Sequence, residues 1–449
     1  MAKPKAARQL FVGVDVGGTK VLAALMTEAG GILAREKLAT PRGKKPDFVV
    51  DAIAETIRAV AASAHAGPGE LAAVGLSIPG VVDPDAGRIV ITPNMNLTGI
   101  EIVRQMQPKL DVPVTLGNDV NCGTLGEKWL GSARDAESAV GIFVGTGIGG
   151  GVFLHGEIHR GARESAGEIG HLAMAIGGPK CGCGARGCFE AIASRTAMDR
   201  DIRAAIARGR NSIVTKLLKK DTDLIRSGVL RRALARRDKL VMDVMRRAAV
   251  VMGHACLSIR HLIDPEVIVF GGGVIEACGD FLLPIVEEIV ESDPLTGARP
   301  GGWIVESALG DDAVVIGAAA LAQQAVGRDP FHGAASVEYP EVRRTEGGAI
   351  EVAGEAPAGA VYVTGDGQVG DPGKLGARRG KLTLGTKLLR AVCQGCPQAL
   401  FVEVAKPGDV KLSDRARSLL HFRRIDLRAA PDAVAQFAAF PGRKALVVG

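Results

Sequence analysis

Three cysteines and one histidine form the densest group of metal-ligating side chains in the sequence. Cys181, Cys183 and Cys188 follow His171 within 18 positions, and glycines lie between the cysteines. Three thiolates and one imidazole make a tetrahedral Cys₃His set, which is a common form of structural zinc site. We therefore predict that these four side chains bind a structural Zn²⁺, with three buried free thiols as the alternative.

Two glutamates flank this cluster and are not needed as metal ligands. Glu168 precedes the histidine by three positions, and Glu190 follows the last cysteine by two. Their carboxylates are free to accept hydrogen bonds from the hydroxyl groups of a sugar. His171 can also contact such a ligand if one ring nitrogen binds zinc and the other donates a hydrogen bond.

A glycine-rich turn near the start of the chain has the composition of a phosphate-binding loop. It reads Asp15-Val16-Gly17-Gly18-Thr19-Lys20 and lies between two predicted strands. The glycines let backbone N–H groups and the Thr19 hydroxyl approach a phosphate closely. Asp15 is placed to hold a hydrated Mg²⁺ ion. A purely structural Gly-Gly hairpin remains the alternative.

A second glycine-rich turn repeats this arrangement. Gly145, Thr146 and Gly147 begin the segment 145–151, which again joins two predicted strands and carries one hydroxyl group. The segment lacks the Gly-Lys-Ser/Thr of a Walker loop, and it leads into a strand instead of the helix that a dinucleotide-binding fingerprint requires. Two such hairpins facing each other are suited to grip the phosphates of one nucleotide.

A third glycine cluster follows a buried strand. Gly271, Gly272 and Gly273 come after the apolar run 266–270 and precede a predicted helix. Backbone without side chains can pack against the flat base or the ribose of a nucleotide. A plain turn from strand to helix is the alternative explanation.

A carboxylate at the junction of a strand and a helix is the candidate general base. Asp119 follows Gly117 and Asn118 at the end of a predicted strand, where a helix begins. A carboxylate close to an attacking hydroxyl group can accept its proton during phosphoryl transfer. Acidic residues are also common at helix N-termini for structural reasons, so this position alone does not establish a catalytic role.

The elements that must hold these groups repeat a common plan. Residues 10–38 predict three antiparallel strands, and residues 138–145 begin a second arrangement of strand, glycine-rich turn and returning strand. The sequence therefore predicts two related halves. The other predicted elements are a helix at about 47–65, strands at 71–77, 112–116 and 266–270, and helices at 240–262 and 312–325.

Proline and glycine residues become frequent after Gly327 and predict a domain boundary near residue 328. We divide the chain into a small N-terminal lobe, a large lobe and a C-terminal segment with bounds 1–120, 121–327 and 328–449. The last segment is predicted to be a small α/β appendage of unknown role. It has strand candidates at 360–364, 399–404 and 444–448 and a helix candidate that starts at Ser413.

Bulk composition excludes several classes of protein. A length of 449 residues predicts more than one domain, and 47% apolar residues with only 4% aromatics suit an α/β enzyme. No apolar run approaches the roughly 18 residues of a membrane span, and no export signal is recognisable, so we expect a cytoplasmic location without membrane contact. Residues 200–239 contain 13 Lys or Arg against four acidic residues. Lacking interleaved aromatics, this stretch predicts a solvated helix face, and no nucleic-acid partner is expected.

The ordered motifs resemble a known family. The set resembles the bacterial ROK family of repressors, unassigned reading frames and sugar kinases, from residue 10 to about 325, and the cysteine motif is similar to that of glucokinases. The resemblance implies an actin-like, hexokinase-type (ribonuclease H-like) α/β fold with two lobes that close over a sugar. The motifs are DVGGTK, SIPG, GND, GTGIGGG, EIGH, CGCGARGCFE and PEVIVFGGG.

The resemblance also implies roles for individual residues. Asp119 resembles the family's catalytic base, and His171 with the three cysteines resembles its zinc ligands. The residues that look like sugar ligands are Asn118, Glu168, His171 and Glu190, and the loop that ends at Gly80 matches a segment lining the sugar site. The cofactors implied are ATP, Mg²⁺ and structural Zn²⁺, and a homodimer is expected.

These features favour an ATP-dependent hexose kinase of the glucokinase type, acting in glycolysis, that phosphorylates the 6-hydroxyl group with Asp119 as base. A kinase for fructose, mannose or an N-acetylhexosamine is the nearest alternative. A sugar-responsive regulator is a second alternative. Such a regulator would need a DNA-binding helix-turn-helix module, for which the roughly 14 residues before Asp15 are too few. A non-catalytic binding protein that works through its C-terminal segment is a third.

Overall fold

The structure is a computed structural model that describes most of the first 331 residues with side chains. The described ranges are 9–41, 45–67, 69–92, 95–218, 224–295, 297 and 301–331, together with the backbone of short strands between residues 341 and 448.

The first sheet has five strands and holds the first glycine-rich turn. Its strand order is β3-β2-β1-β4-β7, in which β1 pairs antiparallel with β2 and parallel with β4. The strands are β1 (Leu10–Val16), β2 (Lys20–Thr27), β3 (Ile32–Ala39), β4 (Leu71–Ile78) and β7 (Val114–Asn118), and a separate hairpin is formed by β5 (Val81–Asp83) and β6 (Arg88–Ile91).

Two helices belong to this part of the chain. Helix α1 (Pro46–Ser63) has proline at its first turn, which suits a helix start because that position needs no backbone N–H donor. Its buried side chains recur every three or four residues and pack in the same apolar core as β1 and β4. Helix α2 (Ile102–Leu110) precedes β7.

The second sheet repeats the topology of the first. Its order is β10-β9-β8-β11-β12, with an antiparallel hairpin followed by parallel strands. This repeat confirms the two related halves that the sequence predicts. The strands are β8 (Ala139–Val144), β9 (Ile148–Leu154), β10 (Glu157–Ile158), β11 (Val267–Gly271) and β12 (Trp303–Glu306).

The remaining helices surround the second sheet or lie between the two sheets. Asp238 caps the longest of them, α8, because its carboxylate accepts a hydrogen bond from the N–H of Val241. The helices are α3 (Asp119–Trp129), α4 (Phe189–Ala193), α5 (Arg195–Ala207), α6 (Val214–Leu217), α7 (Ser227–Ala235), α8 (Lys239–Ile263), α9 (Gly273–Glu291) and α10 (Ala313–Ala325), with short 3₁₀ turns at Ile169–His171 and Gly310–Asp312.

Helices α3 and α10 pack against each other between the two sheets. Helix α3 also contacts β8 and β9 of the second sheet, whereas α10 contacts β1 and β4 of the first. The approach is close because glycines face backbone. A Cβ atom on Gly317 would overlap the carbonyl oxygen of Cys122, and one on Gly126 would overlap that of Ala313. The helix pair therefore joins the two halves through backbone contacts that exclude larger residues.

The last part of the chain contains a mixed sheet of six short strands. Three of these strands match the predicted candidates, since strands occur at Val361–Val363, Ala399–Glu403 and Arg443–Val448. The helix predicted from Ser413 lies outside the described residues. The division at residues 120 and 327 stays a prediction.

Element bounds differ from the predicted ones by at most two residues. The largest difference is in β7, which was predicted at 112–116 and spans Val114–Asn118, because Pro113 has no N–H and contributes only its carbonyl, to Val74. None of the helices among the described residues is both long and apolar enough to cross a membrane.

Candidate active site

A deep cleft of about 1330 Å³ collects most of the predicted site residues. It lies beside the start of α3, the second glycine-rich hairpin and the cysteine cluster. The predicted residues that line it are Gly80, Asn118, Asp119, Gly145, Thr146, Gly147, Glu168, His171, Cys181, Cys183, Glu190 and Gly272. The other predicted residues do not line the cleft; they are Asp15, Gly17, Gly18, Thr19, Lys20, Cys188, Gly271 and Gly273.

Asp119 is the first residue of α3 and faces the cleft. Removal from bulk water raises the pKa of its carboxyl group above the usual 3.8, and the negative charge of Glu168 raises the pKa further. Hydrogen bonds from backbone N–H groups, including that of Val120 at 3.0 Å, and from Asn118 oppose this rise. A carboxylate with a raised pKa is a stronger base, so Asp119 is suited to accept a proton from a bound hydroxyl group.

Asn118 caps α3 and fixes the direction in which the helix starts. Its Oδ1 accepts hydrogen bonds from the N–H groups of Val120 at 3.0 Å and Asn121 at 3.2 Å. Its Nδ2 donates to the carbonyl oxygen of Gly80 at 2.8 Å. The amide oxygen is thus occupied by the helix, and the Nδ2 group donates to Gly80 and to the Asp119 carboxylate.

Asp15 links the first hairpin to the cleft. Burial, together with the negative charges of Asp119 and Asp311, raises the pKa of the Asp15 carboxyl from 3.8 to about 6, while the nearby Lys20 ammonium group lowers it. Carboxyl groups crowded in this way are the oxygen donors that a divalent cation stabilises. The donor set therefore fits Mg²⁺ held at Asp15, directly or through water.

The first hairpin is held by hydrogen bonds to Lys20 in β2 and to Thr40, the residue after β3. Gly17 donates its N–H to the carbonyl oxygen of Lys20 at 2.9 Å, and the Thr40 hydroxyl donates to the carbonyl oxygen of Gly17 at 2.6 Å. Thr40 also donates its N–H to the carbonyl oxygen of Thr19 at 3.1 Å. Residue 40, which sequence analysis did not select, thus fixes the turn from the far end of β3.

The second hairpin is held by residues of α4 and α5. The N–H of Arg195 donates to the carbonyl oxygen of Gly145 at 3.0 Å, and the Thr196 hydroxyl donates to that of Thr146 at 2.7 Å. The Arg195 guanidinium group donates to the hydroxyl oxygen of Thr146. On the other side of the turn, the N–H of Ile148 donates to Glu190 Oε2 at 3.0 Å.

The Cys₃His group comes together as the sequence predicts. The ligand atoms of His171, Cys181, Cys183 and Cys188 all lie within 4.8 Å of one another. Cys181 Sγ is 3.7 Å from His171 Nδ1, and Cys183 Sγ is 3.7 Å from Cys188 Sγ. Zinc–sulfur bonds of about 2.3 Å in a tetrahedron place sulfur atoms about 3.8 Å apart. The two distances of 3.7 Å match this geometry, so the four side chains are suited to hold a zinc ion.

The two flanking glutamates lie between this cluster and the cleft. Glu168 Oε2 is 3.8 Å from His171 Nε2, the ring nitrogen on the side away from the sulfur atoms. Glu190 Oε1 is 3.6 Å from Cys181 Sγ, while its other oxygen binds the second hairpin. Glu190 thus connects the cysteine cluster to the turn that contains Thr146.

The third glycine cluster contributes one residue to the cleft. Gly272 has a φ of 85°, a conformation that favours glycine, and a Cβ atom here would press against the backbone of Val144. Gly272 is also the residue before α9. Gly272 lines the cleft next to the second hairpin without a side chain, which agrees with the predicted packing of a nucleotide base or ribose there.

Two further residues near the site were missed from the sequence. Glu127 is fully buried in α3, and its carboxylate accepts hydrogen bonds from Ser132, Ser307, Ala308 and Leu309 at 2.6–3.3 Å. It ties the helix that starts with Asp119 to the segment before α10. Arg195 was missed as well. Neither residue belongs to a local motif, so the sequence offered no signal beyond a lone acidic or basic side chain.

Comparison with known proteins agrees with this geometry. The sequence profile described as the ROK family matches residues 11–325. A glucokinase from Thermotoga maritima is 35% identical over 329 residues, which cover 71% of this chain and 98% of the relative. The crystal structure of a ROK family glucokinase from Streptomyces griseus, in complex with glucose and AMPPNP, is 30% identical. It has a TM-score of 0.61 and covers 70% of this chain and 99% of that one.

A regulator is also among the relatives. The xylose repressor of Bacillus subtilis is 33% identical over 187 residues, which are 42% of this chain and 48% of the repressor. The Thermotoga and Streptomyces proteins are therefore matched over nearly their whole length, whereas the repressor is matched over about half of its length.

Proposed function

Because the chain belongs to the ROK family, we propose that it is an ATP-dependent hexose kinase that phosphorylates the 6-hydroxyl group of glucose. The observation that carries the proposal is the position of Asp119, a carboxyl group with a raised pKa in a cleft that also contains the second glycine-rich hairpin and Glu168. The full-length match to glucokinases supports the same function.

The proposed reaction assigns one step to each group. The sugar 6-oxygen attacks the γ-phosphorus of ATP, the bond from that phosphorus to the ADP oxygen breaks, and the 6-hydroxyl proton passes to Asp119. Glu168, Glu190 and His171 orient the sugar hydroxyl groups, with Asn118 beside them as a further sugar ligand. Mg²⁺, when bound near Asp15, supplies positive charge to the phosphates, which the two hairpins hold through backbone N–H groups.

The test is turnover of a sugar panel with a matched pair of variants. Purified protein is assayed for ATP-dependent phosphorylation of glucose, fructose, mannose, N-acetylglucosamine and N-acetylmannosamine. Asp119→Asn is expected to lower kcat by about 10²- to 10⁴-fold, because it removes the general base. Asp264→Asn is the control, since Asp264 is an exposed residue with φ of 50° at the end of α8, where asparagine is well accepted.

The outcomes separate the proposed kinase from its alternatives. Glucose as the best substrate supports the proposal, and a better rate with another sugar selects that hexose kinase instead. Sugar binding without ATP turnover by folded wild-type protein would contradict the kinase function and favour a sugar-responsive regulator, the role of the Bacillus repressor. Homodimer formation stays a prediction that light scattering on a sizing column tests.

A further inference from the structure

The two glycine-rich hairpins differ in their own charge. The first hairpin ends in Lys20, whose ammonium group is close enough to Asp15 to lower the pKa of that carboxyl. The second hairpin, residues 145–151, contains no basic residue. If both hairpins bind nucleotide phosphates, the second one lacks a cation within its own sequence.

Arg195 reaches the second hairpin from the start of α5. Its guanidinium group donates to the hydroxyl oxygen of Thr146, whose side chain is exposed to the cleft. Other arginines of this helix bind acidic side chains, as in the pairs Arg200–Asp201 and Arg203–Asp199. Among the residues described, Arg195 forms no ion pair with a carboxylate, so its charge is available to a ligand.

The contact also determines which way the Thr146 hydroxyl can point. A threonine hydroxyl has one hydrogen to donate and two positions at which it accepts. Because Arg195 occupies an accepting position, the O–H hydrogen is left to donate to a group in the cleft. A phosphate oxygen is an acceptor of the required kind, and the nearby guanidinium charge strengthens its binding.

The surroundings explain why a cation is needed here. Glu190 binds the backbone of the same hairpin at Ile148, and Glu168 and Asp119 face the same cleft. Three carboxylates repel an incoming polyphosphate, and a nearby positive charge offsets that repulsion.

We propose that Arg195 is the phosphate-neutralising and positioning residue of the second hairpin, the counterpart of Lys20 in the first, acting on the nucleotide through Thr146. This inference rests on the proposed kinase function, because it requires ATP in the cleft. It predicts that Arg195 contributes to affinity in proportion to the number of phosphates on the nucleotide and contributes nothing to nucleoside binding.

Calorimetric titration of adenosine, ADP and the non-hydrolysable analogue AMPPNP tests the proposal. Arg195→Met, which keeps the length of the side chain without its charge, is expected to weaken AMPPNP binding by about 10- to 100-fold and to leave adenosine binding unchanged. Arg195→Lys keeps a charge and should recover part of the loss. Arg208→Met is the matched control, since Arg208 is exposed at the other end of α5.

A double-mutant cycle separates positioning from a general structural role. Thr146→Val and Arg195→Met should lose less affinity for AMPPNP together than the sum of their separate losses. Equal losses for adenosine and AMPPNP, or unchanged AMPPNP affinity in Arg195→Met, would overturn the inference while leaving the kinase proposal intact. Failure of the wild-type protein to bind any adenine nucleotide would instead contradict the proposed function itself. Arg195→Gln, which also removes the charge, provides the same comparison if the Met variant does not fold.

Discussion

Asp15 and Asp119 are carboxyl groups that lower the stability of the fold and are also suited to the proposed chemistry. Each has a pKa above its usual value, first because of burial, and each lies close to a further negative charge. Such an arrangement lowers stability when the groups are ionised, and a bound cation relieves it. The cost of keeping these side chains in the cleft is therefore measurable in the protein without ligands.

The first prediction concerns the pH dependence of stability. Asp15 has a pKa of about 6 when folded and 3.8 when unfolded, so between these values the folded chain retains a proton that the unfolded chain releases. The contribution of Asp15 to the free energy of unfolding is therefore highest below pH 3.8. It falls as the pH rises from 3.8 to 6 and stays low above pH 6. Without added divalent cations, Asp15→Asn should gain about 2.5 kcal/mol of stability over wild type between pH 4 and pH 7.

The measurement is chemical denaturation of both proteins at a series of pH values. Taking the difference between the two proteins removes the contributions of the titrating groups that do not interact with Asp15. A difference in the free energy of unfolding that stays constant from pH 4 to pH 7 would contradict the raised pKa of Asp15.

At the scale of elements, the segment from His171 to Glu190 has little regular structure and few apolar residues. Its two ends pack on the core that contains α8, through Leu172, Met174 and Phe189, whereas Cys181 and Cys188 in between form a small cluster with Ala191. Its chain direction is instead set by turns around the cysteines, and it leads directly into α4, which begins at Phe189. A metal bound by the four ligands would hold this segment in place of an apolar core.

We therefore predict that zinc removal unfolds this segment locally. Purified protein should contain about one zinc ion per chain, and Cys183→Ser should lose it, because Cys183 Sγ is one of the four ligand atoms. Hydrogen exchange should then increase at residues 171–190 and at the second hairpin, to which Glu190 is bonded. The buried Cys256 in α8 provides the control, since Cys256→Ser leaves the ligand set intact. Stoichiometric zinc in Cys183→Ser would refute the assignment.

Another prediction at this scale concerns Glu127. Its replacement by alanine leaves four hydrogen-bond donors without their acceptor in a buried place. Stability should fall by about 4 kcal/mol, and Glu127→Gln, which keeps one accepting oxygen, should lose about half as much. Glu137→Ala changes an exposed glutamate eight residues past the end of α3 and should alter stability by less than about 0.5 kcal/mol. Equal denaturation midpoints for Glu127→Ala and Glu137→Ala would contradict this role.

Local patterns explain why much of the site was predictable. The two hairpins, the Asn118-Asp119 junction and the Cys₃His group are each encoded by a few neighbouring residues, so sequence alone indicated them. Arg195 and Glu127 act on partners that are about 50 and 180 residues away in the chain. Their roles depend on contacts between segments that are far apart in the chain, and periodicity within one segment carries no information about such contacts.

At the scale of the whole molecule, α3 and α10 determine how the two halves meet. Helix α10 also packs against the first sheet through glycines, because a Cβ atom on Gly13 or Gly75 would overlap carbonyl oxygens of α10. Because α3 begins with Asp119, the close packing of α10 on α3 helps to fix the position of the proposed catalytic base. The sequence predicts that a helix begins at Asp119 and that another spans 312–325, but it does not predict that these two helices pack together.

The last prediction tests this contact with two glycine substitutions. Gly317→Ala places a Cβ atom against the carbonyl oxygen of Cys122 and should cost at least about 3 kcal/mol of stability. Gly228→Ala is the control, because Gly228 lies in α7 with no neighbouring atom within 4 Å of an added Cβ. It should gain about 0.5 kcal/mol by restricting the unfolded chain. Similar melting temperatures for the two variants would show that the helix pair tolerates separation.

The position of α10 also has a consequence for biosynthesis. The strand β1 is synthesised well before α10, yet the apolar face that contains Phe11, Met26 and Ala73 is covered by α10, about 300 residues later. At typical elongation rates this face stays uncovered for roughly 15 to 60 s. The first half therefore cannot finish folding during its own synthesis. A nascent chain that stops before residue 313 exposes an apolar sheet surface and is a natural substrate for chaperones.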